Sequence, residues 1–158
     1  VEMSVFGKDE VAINKFAASM PLPVFDVTSF SQPVSLSRAK IAIVTTAALH
    51  RLDGDGFELG DGDAHFEKLP RHARDLAIGH HSVNFDRGGF AADINVVYPI
   101  DRLEEMRDAK IIGNVADHHY AFAGNQSDTV SEIRLDSGPL CAKAMLDEGV
   151  DVVLLTGT

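Results

Sequence analysis

The sequence predicts an α/β fold: an open, mainly parallel sheet with flanking helices, Rossmann-like and three-layered, preceded by an extended N-terminal arm. Three observations carry this. The runs Ile41 to Val44 and Val150 to Leu155 have the length and composition of strands buried on both faces. Between them, apolar residues recur at helical spacing in two stretches. The resulting order of strand, helix, strand, helix, strand is the one from which an open parallel sheet is wound.

The chain has 158 residues, about one domain's worth. Residues 1–38 read as an arm. Pro21, Pro23 and Pro33 forbid regular helix around them, and Phe16, Phe25 and Phe30 are spaced as single anchors for a larger surface. Residues 39–158 read as the α/β domain. Its first strand is Lys40 to Ala48, followed by a polar, glycine-rich loop. Leu76 to Gly79 and Ile94 to Tyr98 are strands or short buried turns. In the next segment Ile100, Leu103 and Met106 recur every three residues, which predicts an amphipathic helix over 100–109 with Asp101 as its N-cap. Ile111 to Ala116 reads as a strand. A helical stripe then runs across 128–148 through Val130, Ile133, Leu140, Ala144 and Met145, interrupted by Gly138 and Pro139. These predict a kink, or a restart at Pro139 with Ser137 or Gly138 in the capping position. Gly149 stands where a C-terminal cap belongs, and the final strand is expected to be buried on both faces. The chain begins at Val1, and its apolar run Val152 to Leu155 stops close to Thr158, so both ends look like cuts.

Composition excludes several classes. Hydrophobic residues make up 45%, charged residues 24% and aromatics 7%, which is globular usage. A net charge of −10 argues against nucleic acid and anionic lipid as partners. No apolar run is long enough to span a bilayer, and no signal-type leader opens the chain, so the cytoplasm is the expected compartment. Cys141 is the single cysteine. It lies on a helical apolar stripe with no cationic neighbour to ionise it, and reads as a buried, inert thiol. No bound cofactor and no metal site are expected from the chain itself.

Open α/β sheets bind ligands beyond the carboxyl ends of their strands. Histidines collect there: His50 after the first strand, His80 and His81 after the second candidate, and His118, His119 and Tyr120 after Ile111 to Ala116. Imidazoles near neutrality serve as acids or bases, metal ligands or carboxylate donors. His80, His81, His119 and Tyr120 are therefore the catalytic candidates, while His50, Asp93, Asn95 and Thr156 are candidates for substrate binding. Asp93 and Asn95 alternate about Ile94 and either orient a ligand or cap a turn. The acidic residues between Leu52 and Glu67 fail the spacing of a calcium loop and read as a solvated turn.

Several segments together resemble the selenoprotein B family of glycine, sarcosine, betaine and D-proline reductases. They are Ala42 to His50, Phe57 to Asp61, His80-His81-Ser82, Asp93 to Leu103, His119 to Gly124 and Gly149 to Thr156, in that order, so that the resemblance covers about residues 40–158. Asp93 to Leu103 and the closing strand are its most specific parts. The resemblance implies reductive cleavage of a C–N bond next to a carboxylate in a small amino acid or amine. It also implies partner reductase subunits, and a selenocysteine or a cysteine pair at or just beyond the residue after Thr158. His80, His81, His119 and Tyr120 would then position the substrate and protonate the leaving amine. Asp117-His118 departs from the family's usual residues at that point, which weakens any transfer of substrate identity.

Two other classes compete. Asp117-His118-His119, with Asp61 and Asp63 upstream, looks like a manganese phosphoesterase of the Asp-His-His kind, although its first aspartates lie in a glycine-rich loop instead of at a strand end. The chain also fits a non-catalytic subunit that pairs through the arm and the open strand end. A homo-oligomer is left open.

Overall fold

The computed structural model of the chain describes residues 15, 18–19, 31–58, 62–79, 87–124, 126 and 132–157. Internal contacts divide the chain into Val1–Pro33 and Val34–Thr158. In the first unit Lys15, Ala18 and Ser19 are helical and exposed, so at these positions the arm is not extended as expected. Phe16, Phe25 and Phe30 lie outside the described residues.

In the second unit the sheet is organised around β1 (Lys40–Thr45). On one side β1 pairs in parallel with β7 (Val152–Thr156) from Ile41↔Val152 to Thr45↔Thr156. On the other it pairs in parallel first with the two-residue β5 (Asn114–Val115) and then with β6 (His118–Phe122). Antiparallel to β6 runs β3 (Phe66–Pro70). An open α/β sheet is therefore present, but it is mixed instead of mainly parallel, and it lacks the regular strand and helix alternation of a Rossmann-like three-layer fold. The segment Leu76 to Gly79 does hold a strand, β4 (Leu76–Ile78), yet β4 pairs only with β2 (Leu49–Arg51) in a separate antiparallel ribbon.

Alternation along β1 sends Ile41 and Ile43 to one face and Val44 to the other. The first face is covered by α2 (Ile100–Asp108), where Ile41, Ile43, Tyr98, Ile100 and Leu103 form the main core. A short α1 (Arg87–Ala92) precedes it. The second face meets α3 (Gly138–Asp147), and Cys141 packs there with Tyr120, Phe122 and Val44.

Local chemistry explains most boundaries and corrects some expectations. Helix α2 starts at Ile100 with Pro99 in the capping position, so Asp101 lies in the first turn and is not the cap. Ile94–Val96 is a 3-10 turn, the second of the two options left open. Only Asn114 and Val115 of the expected 111–116 strand pair with β1. A π-helical turn, Ile133–Ser137, leads into α3, with Ser137 at the cap position but making no side-chain capping bond. A Cβ on Gly138 would lie 2.5 Å from the Ile133 carbonyl oxygen, so only glycine permits this junction. Gly149, at φ +74°, ends α3 as anticipated. The last strand departs from expectation most. Its outer edge has no partner among the described residues, and Leu155 is 74% exposed.

Candidate functional site

An apolar cleft of about 580 Å3 opens between the sheet and α3 towards the carboxyl ends of the central strands. β1 and the residue after it contribute Val44 and Thr46, β6 and the following turn contribute Phe122 to Gly124, β7 contributes Val153 and Leu155, and α3 contributes Cys141 and Met145. The strands place alternate side chains in the cleft, and Cys141 and Met145 reach it because residues four apart share a helix face. Gln126 closes one side, its amide donating to the carbonyl oxygens of Asp63 (2.7 Å) and Ala123 (2.9 Å). Burial pushes the Cys141 thiol up to about 11, which keeps it protonated and unreactive at neutral pH. The sequence signal for this cleft was the alternation Val153/Leu155 together with the stripe Cys141, Ala144, Met145; each part is visible alone, but their convergence depends on the pairing of β7 with β1.

The end of β7 is held from two sides. The Thr46 N–H donates to the Thr156 carbonyl at 3.1 Å, and the Thr156 hydroxyl donates to the Val97 carbonyl at 2.8 Å. The turn that carries Val97 is itself braced. Asp93 accepts from the backbone and side-chain amides of Asn95 at 2.9 and 2.8 Å, and these bonds hold its carboxyl below the usual range. Asn95 donates to Asp101 at 3.0 Å and accepts from the Asp101 N–H, while Arg74 donates to the same carboxylate at 3.1 Å. Of the two options for Asp93 and Asn95, the structure takes the turn cap. Thr156 likewise uses its proton on the fold.

The histidines among the described residues do not converge. His119 was expected beyond a strand end but lies within β6, fully buried. Its Nδ1 accepts from the Ile43 N–H at 2.9 Å. β5 and β6 leave the middle of β1 without a backbone partner, and the imidazole fills the place of a carbonyl in the ladder. Nδ1 as acceptor leaves the proton on Nε2, and burial draws the pKa down to about 4, so the ring is neutral. Tyr120, the next residue, points to the opposite face, against Phe66 and Cys141, with its hydroxyl pushed up to about 12 by burial. His119 and Tyr120 thus do not share one site. His118 binds Glu148 through Nδ1 at 2.9 Å, and the same carboxylate accepts from the Asp117 and His118 N–H groups at 2.6 and 3.1 Å. His50 donates from Nδ1 to its neighbour Ala48 at 3.1 Å and packs against Gly56 and Gly79. His80 and His81 lie outside the described residues.

A second pocket, about 590 Å3, lies over Asp55, Phe57, Glu58, Asp63, His65 and Glu67. Burial works against ionisation of Asp63, but bonds from the Glu58 N–H and from His65 outweigh it and hold the carboxyl low. Phe57 stacks on His65 at 4.5 Å. Among the described residues no group of three or more His, Cys, Asp or Glu side chains is placed to hold a metal ion. Of the Asp-His-His pattern, His118 is bonded to Glu148 and His119 to the Ile43 N–H, while Asp61 lies outside the described residues. No helix among the described residues is long and apolar enough to cross a membrane.

The described residues form an open α/β sheet with an apolar cleft towards its strand ends and braced loops beside it. Comparison with known proteins makes this specific: residues 8–158 match the model for glycine/sarcosine/betaine reductase selenoprotein B, and the chain belongs to that family. It is 32% identical over 118 residues to the D-proline reductase subunit gamma of Acetoanaerobium sticklandii, covering 73% of this chain and 47% of that one. It is 28% identical to the glycine reductase complex component B subunit gamma of Symbiobacterium thermophilum, over 90% of this chain and 34% of the relative. To the sarcosine reductase complex component B subunit beta of Peptoclostridium acidaminophilum it is 25% identical, over 91% and 34%. The chain therefore spans about half the length of the first of these relatives and about a third of the other two. No solved structure matches it significantly.

Proposed function

We propose that this chain is part of a cytoplasmic reductase-complex subunit that cleaves the C–N bond of a small amino acid or amine of the glycine, sarcosine, betaine or D-proline type. The observation that carries the reading is the family match over residues 8–158. Relatives named as components or subunits of reductase complexes support partner subunits.

The chemistry needs a chalcogen nucleophile, on this reading a selenocysteine or one of a cysteine pair just beyond Thr158. Such a group, ionised at neutral pH, bonds to the carbon next to the carboxylate as the C–N bond breaks and its electron pair leaves with nitrogen; one thiol of a dithiol then attacks the chalcogen, the C–chalcogen bond breaks with a proton going to carbon, and the second thiol closes the disulfide and frees the chalcogenolate. Cys141 is too deeply buried and too basic to be that thiol. What this chain contributes is placement. The Thr156–Val97 bond and the Asp93–Asn95–Asp101 brace fix the end of β7, from which the nucleophile would be presented. The apolar cleft lies beside the same strand end. His80 and His81, which follow β4, are the groups proposed to protonate the departing amine. His119 is kept as a core group that supports β1 beside Tyr98, Tyr120 as packing on the α3 face, and His50 as packing against Phe57.

The test is an assay of the intact subunit with a dithiol and each of glycine, sarcosine, betaine and D-proline. One of the four is expected to be reduced with stoichiometric dithiol oxidation, by release of its amine or, for D-proline, by opening of its ring, and His80→Asn or His81→Asn is expected to lower kcat about 100-fold or more. Failure with all four substrates would overturn the reading.

A further inference from the structure

We infer that the outer edge of β7, with the cleft beside it, takes a further β-strand from reductase-subunit polypeptide lying outside these 158 residues. This rests on family membership and on the sheet, not on the chemistry proposed above.

β7 pairs with β1 along all five of its residues, and among the described residues no other strand pairs with its second edge. Proteins protect such edges with charged residues, proline, bulges or cover. Val152–Thr156 contains no charge and no proline, and Val153, Leu154 and Leu155 are 37%, 38% and 74% exposed. The apolar surface does not stop at the strand. It continues into the cleft, where Phe122, Cys141 and Met145 line the wall beside Val153 and Leu155. A contiguous apolar area of this kind marks a surface that is covered in the working protein.

The occupant follows from extent and length. A strand on the edge satisfies the backbone, and apolar residues at its alternate positions fill the cleft beside Val153 and Leu155, so the partner is a stretch of polypeptide of that pattern with more chain behind it. The relatives possess that surplus: the matched part is 47% of one and 34% of others, leaving more than half of each outside it. β-strand addition supplies affinity through main-chain bonds and selectivity through alternate side-chain pockets, of which the Val153 and Leu155 cleft is one.

The deciding experiment is the structure of the intact D-proline reductase subunit gamma, paired with hydrogen exchange on that protein and on the 158-residue chain. The expected result is a strand from outside the matched stretch bonded to the outer edge of the β7 counterpart. The β7 amides of the 158-residue chain should exchange about tenfold or more faster than those of their counterpart in the intact subunit. An edge open to solvent, an edge covered by the matched stretch itself, or an edge closed by a second copy would each overturn the inference. Equal exchange in the two proteins would overturn it as well. Absence of reductase activity with the four substrates would leave this inference standing while removing the proposed function.

Discussion

On one face of β1, Ile41 and Ile43 meet Tyr98, Ile100 and Leu103, and none of the five is more than 5% exposed. On the other, the core is only Tyr120, Phe122 and Cys141, with Val44 and Met145 partly buried around a cleft of about 580 Å3. The same strand supplies both faces, so the difference lies in what covers them. The α2 face is closed by residues of this chain and carries the stability. The α3 face is left with apolar surface unspent, and it is there that the strand ends and the β7 edge converge. The two faces thus differ in how far this chain closes them, and substitutions on each should behave differently.

The largest contrast is in core truncation. Leu103→Ala is expected to cost about 2–5 kcal/mol, because the site is closed and collapses poorly. Urea titration of the purified chain measures it; a cost no larger than that of an exposed position would show that the α2 face is not the stabilising one.

Next comes an acid dependence belonging to His119. Its pKa is lowered on folding, from 6.5 to about 4, so the unfolded chain takes up a proton that the folded chain refuses. Stability is therefore full above pH 6.5 and falls through the window down to about pH 4, by about 3 kcal/mol at 1.36 kcal/mol per unit. His119→Phe keeps an apolar ring in place but removes the acceptor from the Ile43 N–H, at a cost of about 1–3 kcal/mol at neutral pH. In that variant the His119 share of the slope between pH 6.5 and 4 should vanish. Urea midpoints across this range decide the matter, and an unchanged slope would refute the buried, neutral assignment.

A smaller effect is expected at the amino ends of the strands. Glu148 resists ionisation through burial, yet the bonds from His118 and Asp117 prevail and hold its carboxyl low. Its contribution is present above pH 4.5 and is lost as pH falls through the lower folded value. Glu148→Gln should cost about 1–2 kcal/mol at neutral pH by thermal or urea unfolding. The smallest effect, within about 0.5 kcal/mol, is expected for Leu155→Ala, whose side chain is 74% exposed; a loss as large as that of Leu103→Ala would erase the contrast between the faces.

Several elements on both faces were legible in the sequence. The apolar run at β1, the three-residue recurrence in α2, the break at Gly138-Pro139 and the cap at Gly149 are local signals, and each produced its element. What was not legible depended on pairing. His118-His119-Tyr120 reads as a polar loop because histidine is not a strand signal, but a gap in the β1 ladder gives His119 a bond that no local pattern encodes. Val150 to Leu155 reads as a strand buried on both faces because its composition is that of one, whereas burial requires neighbours that the described residues do not provide. The antiparallel β3 was missed because Phe66-Glu-Lys-Leu-Pro alternates poorly and follows the acidic loop. Of the expected site residues, Asp93 and Asn95 cap a turn and bond to Asp101, and Thr156 bonds to the Val97 carbonyl, contacts that no local pattern encodes.

The central claim is that β7 presents a redox nucleophile supplied just beyond it. Reading the coding sequence across the codon after Thr158 and the next dozen codons tests this most directly. The account predicts an in-frame UGA or cysteine codon closely followed by a cysteine codon. An ordinary stop with no cysteine in frame downstream would contradict it.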